Sequence, residues 1–294
     1  MKFILVLLFI FLVSTSFSQS LNLYSLRIYT LSDNQQIGFV SLSDKYLIYE
    51  YGDPNEVLPD EPIYNYQIPL NGIYRKRLFA GTNIQETDTM FLFNYKTNTL
   101  VKVPVSKLKS FARLNEYADE DFLKCHPESD LFMFGFEINE QDVKSIGLSD
   151  GVFIYFGNFN PFKTEKLNPF VWKKIKAKDF PFSKMDTTQK FYSALKELCF
   201  HYYKSDYYQY YVVNDLYSEY VLIFDFQGNK INEISFHFTE SCPLAVVSEN
   251  VLSQQYVGSI FKDKPELIMG FEDCSFECSH IIFTNPLFGE IVVK

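Results

Sequence analysis

One tryptophan, four histidines and five cysteines are spread through 294 residues. Each scarcity removes a class of function. Sugar-stacking platforms lean on tryptophan, and this chain offers only Trp172. His126, His201, His237 and His280 are the whole supply of side chains that titrate unaided near neutral pH. Cys125, Cys199, Cys242, Cys274 and Cys278 are too sparse for a disulfide scaffold, so the fold must rest on its apolar core. Basic clusters are missing as well, and the formal charge is −9. Nucleic acid is therefore excluded as a partner, because phosphate neutralisation supplies most of that affinity, and so is an electrostatic grip on anionic lipid.

The compact catalytic motifs are absent too. There is no G-x-S-x-G, no H-E-x-x-H, no P-loop, no G-x-G-x-x-G opening a helix and no EF-hand loop. No catalytic residue, metal ligand or cofactor is assigned on this basis. A site assembled from distant segments remains the one enzymatic route.

A single long apolar run is present. Met1-Lys2 is a short basic start, Phe3 to Val13 is unbroken and apolar, and Ser14 to Ser18 turns small and polar. That order is the pattern of a secretory signal peptide over residues 1–18, with Ser16 and Ser18 as the small-x-small cleavage signal. Eleven apolar residues are too few for the ~20 of a membrane-spanning helix. The expectation is a secreted or periplasmic protein with no membrane insertion after cleavage. Loss of Lys2 takes the charge from −9 to −10 for the mature chain.

Export turns the cysteines towards oxidation. A disulfide joining Cys242 to Cys274 or to Cys278 is the expected bridge, with buried free thiols as the alternative. Zinc held by His237, Cys242, Cys274, Cys278 and His280 is the weaker reading, since C-x3-C-x-H is not a zinc-knuckle spacing and oxidised thiols cannot ligate. Cys125-His126 is adjacent and Cys199/His201 is two apart on an expected helix, so both pairs diverge.

Aromatics are abundant instead: 31 Phe and 21 Tyr. Such rings suit half-buried pleated surfaces. Strand patterns recur at 21–30, 36–42, 63–69, 72–80, 87–95, 99–105, 130–138 and 151–156. Two more, 220–226 and 230–238, flank the turn Gln227-Gly228-Asn229 as a hairpin. Strands at 267–271, 280–284 and 290–293 close the chain, the last two paired around Asn285-Pro286. Helices are expected over 106–117, over 186–202 and, shorter, within 139–146 and 246–260. The second has Asp186 and Gln189 as a capping box, with Phe191, Leu195, Leu198 and Tyr202 at helical spacing. The fold class is α+β, predominantly antiparallel sheet with two or three helices. Residues 19–294 form a single globular unit, with a candidate boundary at 177–186, where Pro181 sits among charges.

Between His201 and Tyr211 six tyrosines occupy ten positions, 202 to 211. Tyr207, Tyr208, Tyr210 and Tyr211 are the candidate binding surface, because phenol rings give area and a hydroxyl at little entropic cost. The opposing expectation is that alternate rings enter the core. The sequence thus points to a non-catalytic binding or interaction module for a protein, peptide or glycan. The alternative is a secreted or periplasmic hydrolase built from distant carboxylates or histidines, such as those at 116–121 and 272–277.

Overall fold

A computed structural model describes residues 21–31, 34–43, 58–59, 67–114, 132–147, 151–163, 165–186, 197–240, 242–249, 254–272, 281–288 and 290–291. The expected signal peptide, Cys125-His126, the carboxylates at 116–121, and Cys274, Cys278 and His280 lie outside them. Contacts divide the chain into two compact units, Leu23–Thr164 and Glu165–Val293. The division falls before the 177–186 stretch, which belongs wholly to the second unit. Every strand pairing described is antiparallel. Among the described residues no helix is long and apolar enough to cross a membrane.

In the first unit the elements are β1 (Tyr24–Ser25), β2 (Arg27–Thr30), β3 (Gln36–Ser43), β4 (Gln67–Pro69), α1 (Ile73–Thr82), β5 (Thr89–Asn94), β6 (Thr99–Pro104), β7 (Lys109–Leu114), β8 (Phe132–Ile138), α2 (Glu140–Ile146) and β9 (Val152–Gly157). They form two sheets, β1-β9-β5-β6 and β2-β3-β8-β7-β4. Period-2 alternation sends Phe132, Phe134, Phe136 and Ile138 of β8 to one face. There they share a core with Met90, Leu92, Ile154 and Phe156 of the other sheet. Gly135 is forced by packing, since a Cβ there would stand 1.8 Å from the Val40 carbonyl oxygen. Asn139 caps α2, its Oδ1 accepting from the Asp142 N–H at 2.9 Å.

The second unit contains β10 (Asn168–Pro169), β11 (Lys173–Lys174), β12 (Cys199–Lys204), β13 (Gln209–Asn214), β14 (Ser218–Phe224), β15 (Lys230–His237), β16 (Tyr256–Gly258), β17 (Leu267–Met269), β18 (Ile281–Phe283) and β19 (Glu290–Ile291). Its sheets run β11-β12-β13-β14-β15 and β10-β16-β17-β18-β19. Tyr210, Val212, Val221 and Ile223 of the first share a core with Val257 and Ile268 of the second. The opposite face of the first sheet is also buried: Phe200, Val213, Tyr220, Leu222 and Phe224 pack with Phe180, Phe182 and Met185. The 177–186 stretch is thus the cover of a sheet face, not a linker.

Four expected elements differ. Residues 106–117 were expected as helix, but Val105–Lys107 is a 3-10 turn and Lys109–Leu114 is β7, fixed by partners on both sides, β8 and β4. Residues 72–80 read as strand and fold as α1, consistent with the good helix formers Arg75, Lys76, Arg77, Leu78 and Ala80. Of the expected helix over 186–202, residues 187–196 lie outside the described residues, and its end is instead strand, since Cys199–Lys204 is β12, whose both faces are covered. No helix is described within 246–260, where Tyr256–Gly258 is β16. The hairpin β14–β15 and the pairing of β18 with β19 stand where the pattern placed them.

Candidate functional site

The tyrosine tract is a hairpin. Antiparallel register sets Tyr202 opposite Tyr211 and Tyr203 opposite Tyr210. Successive side chains therefore go to opposite faces, and the tract divides. Tyr203 and Tyr210 turn into the core between the sheets, and Tyr211 packs on the other face beside Phe180 and Phe224. Tyr210 is the correction to the expected surface. It is fully buried, its ring centroid 5.2 Å from that of Phe170, and its hydroxyl donates to Glu266 Oε1. Tyr208 is half-buried against the same core. Of the four, Tyr207 alone is widely exposed, at 57%. Trp172 is buried too, stacked on Phe170 at 4.5 Å with its Nε1–H donating to Gln255 Oε1 at 2.8 Å.

Glu266 organises this end of the unit. Its Oε1 accepts from Ser205 Oγ at 2.8 Å as well as from Tyr210, and its carbonyl accepts from Thr284 N at 3.0 Å and Thr284 Oγ1 at 2.8 Å. Burial raises the Glu266 carboxyl above its ordinary value, and the hydroxyls of Tyr210 and Ser205 pull it back down. The same residue thereby ties the β12–β13 turn to the loop after β18.

Each loop at this end is held by its own side chains. Ser205 Oγ accepts from the N–H groups of Tyr207 and Tyr208 at 3.1 and 3.0 Å. Asp225 Oδ1 accepts from Gln227 N at 2.9 Å and Asn229 N at 2.8 Å, and these bonds with Asn229 Nδ2 hold its carboxyl below the usual range. Gln209 Nε2 donates to the Asp225 carbonyl at 3.1 Å, linking that turn to the tyrosine hairpin. Asn285 Oδ1 accepts from Leu287 N at 3.0 Å. From these braced loops project Tyr207, Phe226 (46% exposed) and Leu287 (86%). Lys204 Nζ lies 4.8 Å from the Phe226 ring centroid, within cation–π range.

The other end of the same sheet gathers polar groups. Cys199, Asn214, Glu219 and Phe236 stand in one register row, and His201 shares a strand face with Cys199. Sequence reasoning put Cys199 and His201 on diverging helix faces, and β12 brings them to one side. No hydrogen bond joins them. His201 Nδ1, Asn214 Oδ1 and Glu219 Oε1 are buried without a hydrogen-bond partner. Desolvation lowers the His201 imidazole and pushes the Glu219 carboxyl well up, with Glu272 raising it further.

Cys199 is a free thiol, whereas Cys242 is disulfide-bonded and so unfit as a thiolate ligand. His237 Nδ1 lies 3.3 Å from Ser218 Oγ. Among the described residues no three His, Cys, Asp or Glu side chains are placed to hold a metal ion. No family model, curated protein or solved structure matches this chain.

Proposed function

We propose that this protein is an exported interaction module whose second unit binds a protein, peptide or glycan through the loop end that carries Tyr207, Phe226 and Leu287. The observation that carries the reading is the bracing of three separate loops around Glu266 and Asp225. A side chain presented from a fixed turn loses little freedom on binding, so its buried area converts to affinity more fully. Loops at one end of packed sheets are a common seat of recognition. Tyr207 and Phe226 supply rigid aromatic area with few rotatable bonds, and Lys204 adds a charge beside them. Export is supported by the residues at 1–18 and by the disulfide at Cys242, a bond that persists in oxidising compartments.

The hydrolase alternative has one observation in its favour: the Glu219 carboxyl, raised by burial, is raised further by the charge of Glu272 from a distant segment. A carboxylic acid kept neutral beside a second carboxylate is the arrangement acid–base hydrolysis needs. Glu219 is only 1% exposed, however, which leaves substrate no route to its oxygens. The binding reading is therefore preferred. Its test is a combined peptide and glycan array probed with the purified chain, with hydrolysis products followed on the same spots. Saturable binding without turnover supports the module, whereas cleaved spots, or none bound, overturn it.

A further inference from the structure

The first unit carries an open groove of about 320 Å³, lined among others by Lys102, Lys107, Lys109, Glu137, Asn139 and Asp142. Its origin is the passage of the chain from β6 to β7. Val105 and Leu108 are drawn into the core, and Lys107 and Lys109 are left outside. Arg75 fixes that passage: Nη2 donates to the Val105 carbonyl at 2.9 Å and Nη1 to the Leu108 carbonyl at 2.7 Å. Its own charge is committed to Glu86 through bonds of 2.7 and 2.9 Å. The lysines therefore stand on a braced turn.

The charges in the groove do not cancel. Glu137 Oε2 accepts from Gln67 Nε2 at 3.2 Å, and its Oε1 lies 3.6 Å from Lys109 Nζ. Asp142 Oδ2 accepts from Asn139 Nδ2 at 2.6 Å. Glu137 is paired with Lys109, Asp142 keeps its charge beside a neutral amide, and among the described residues no ion pair reaches Lys102 or Lys107. Three ammonium groups against two carboxylates leave the groove one positive charge in excess on a chain of formal charge −9, so it departs from the sign of the molecule. The volume is at the small end of ligand pockets, which run from roughly 300 Å³ upward. Lysine offers a compact charge with three rotatable donors, suited to a tetrahedral oxyanion.

We propose that this groove binds the phosphate or sulfate group of a small, sugar-sized ligand, with Lys102 and Lys107 as the two neutralising cations. The site lies wholly in the first unit, so it stands or falls independently of the loop platform.

Calorimetric titration of the full chain with glucose 6-phosphate, glucose 6-sulfate, inorganic phosphate and glucose tests it. The esters should bind saturably and weaken as salt is raised, and glucose should not bind; the stronger ester names the oxyanion. Each of Lys102→Gln and Lys107→Gln should weaken the bound ester about fivefold, the worth of one surface ion pair. Lys178→Gln, in the second unit, should leave affinity unchanged, and circular dichroism of all three should match the parent. No saturable binding of either ester, equal binding of glucose, or unchanged affinity in both groove variants would overturn the proposal. So would an equal loss in Lys178→Gln, which marks a general counter-ion effect. Binding of inorganic phosphate as tight as that of the esters would also overturn it, since the sugar would then have no seat.

Discussion

The hydroxyl of Tyr210, at the centre of the tyrosine tract, donates to the buried carboxylate of Glu266, and this bond binds the hairpin to the second sheet. Its removal should be felt in stability. Tyr210→Phe keeps the ring and takes one donor from a carboxylate whose other side-chain partner among the described residues is Ser205. Loss of a hydrogen bond to a buried charged group costs about 1–3 kcal/mol. Urea unfolding of the variant should show a loss in that range, and a change under about 0.5 kcal/mol would contradict the role given to this bond.

Glu219 should make stability fall as pH rises. Its folded pKa lies well above the ordinary 4.5, through burial first and Glu272 second. Between the two values the folded state holds a proton that the unfolded state has released. Stability from the neutral carboxyl is full below the unfolded value and is lost as pH climbs towards the folded one, at up to about 1.4 kcal/mol per pH unit. Glu219→Gln stays neutral throughout. The Tm of this variant minus that of the parent should grow from pH 4.5 upward, and a flat difference would refute the assignment.

The disulfide of Cys242 should be made with Cys274. Leu244 bridges Glu272 in antiparallel sense, and Ala245 N donates to the Phe271 carbonyl at 2.9 Å. In the sequence Cys242 stands two residues before Leu244 and Cys274 two residues after Glu272, which makes Cys274 the expected partner. Non-reducing peptide mapping should return that pair together with a free Cys199. A link to Cys278 or Cys125 would contradict it. Breaking the bridge should cost about 3 kcal/mol.

Gly135→Ala should be among the most damaging single changes. The added Cβ meets backbone oxygen at 1.8 Å, and no side-chain rotation relieves a clash with the main chain of the paired strand β3. A loss of about 3 kcal/mol or more is expected in denaturant melts, and near-parental stability would show that β3 and β8 can part at this point without penalty.

Legibility followed how one-sided each segment is. β14–β15 was readable because Gln227-Gly228-Asn229 is a strong turn and Gly228 takes the required positive φ of 83°. β12 was not, since Phe200 and Tyr202 face one way, His201 and Tyr203 the other, and both faces are covered. Such a strand shows no polar alternation, and its apolar residues mimic helical spacing. α1 was missed for the reverse reason: Leu78 is its only buried residue, so no apolar stripe marks it. The tyrosine tract was visible as composition, but its division between two faces follows from strand register, which single residues do not encode. Phe226 and Leu287 escaped notice because they join Tyr207 only through loops brought together by folding. The groove escaped for the same reason: Lys102, Lys107 and Lys109 meet Glu137 and Asp142 only after β7 pairs with β8.

The most direct test of the central claim is calorimetric affinity for the best array ligand, measured on the parent and on Tyr207→Ser/Phe226→Ser/Leu287→Ser. All three side chains are exposed and their loops are held by other residues, so the Tm should move little. Affinity should fall at least a hundredfold, or about 2.7 kcal/mol, as expected for removing aromatic anchors. Unchanged affinity in a folded triple variant would place recognition elsewhere and end the reading of this loop end as the binding surface.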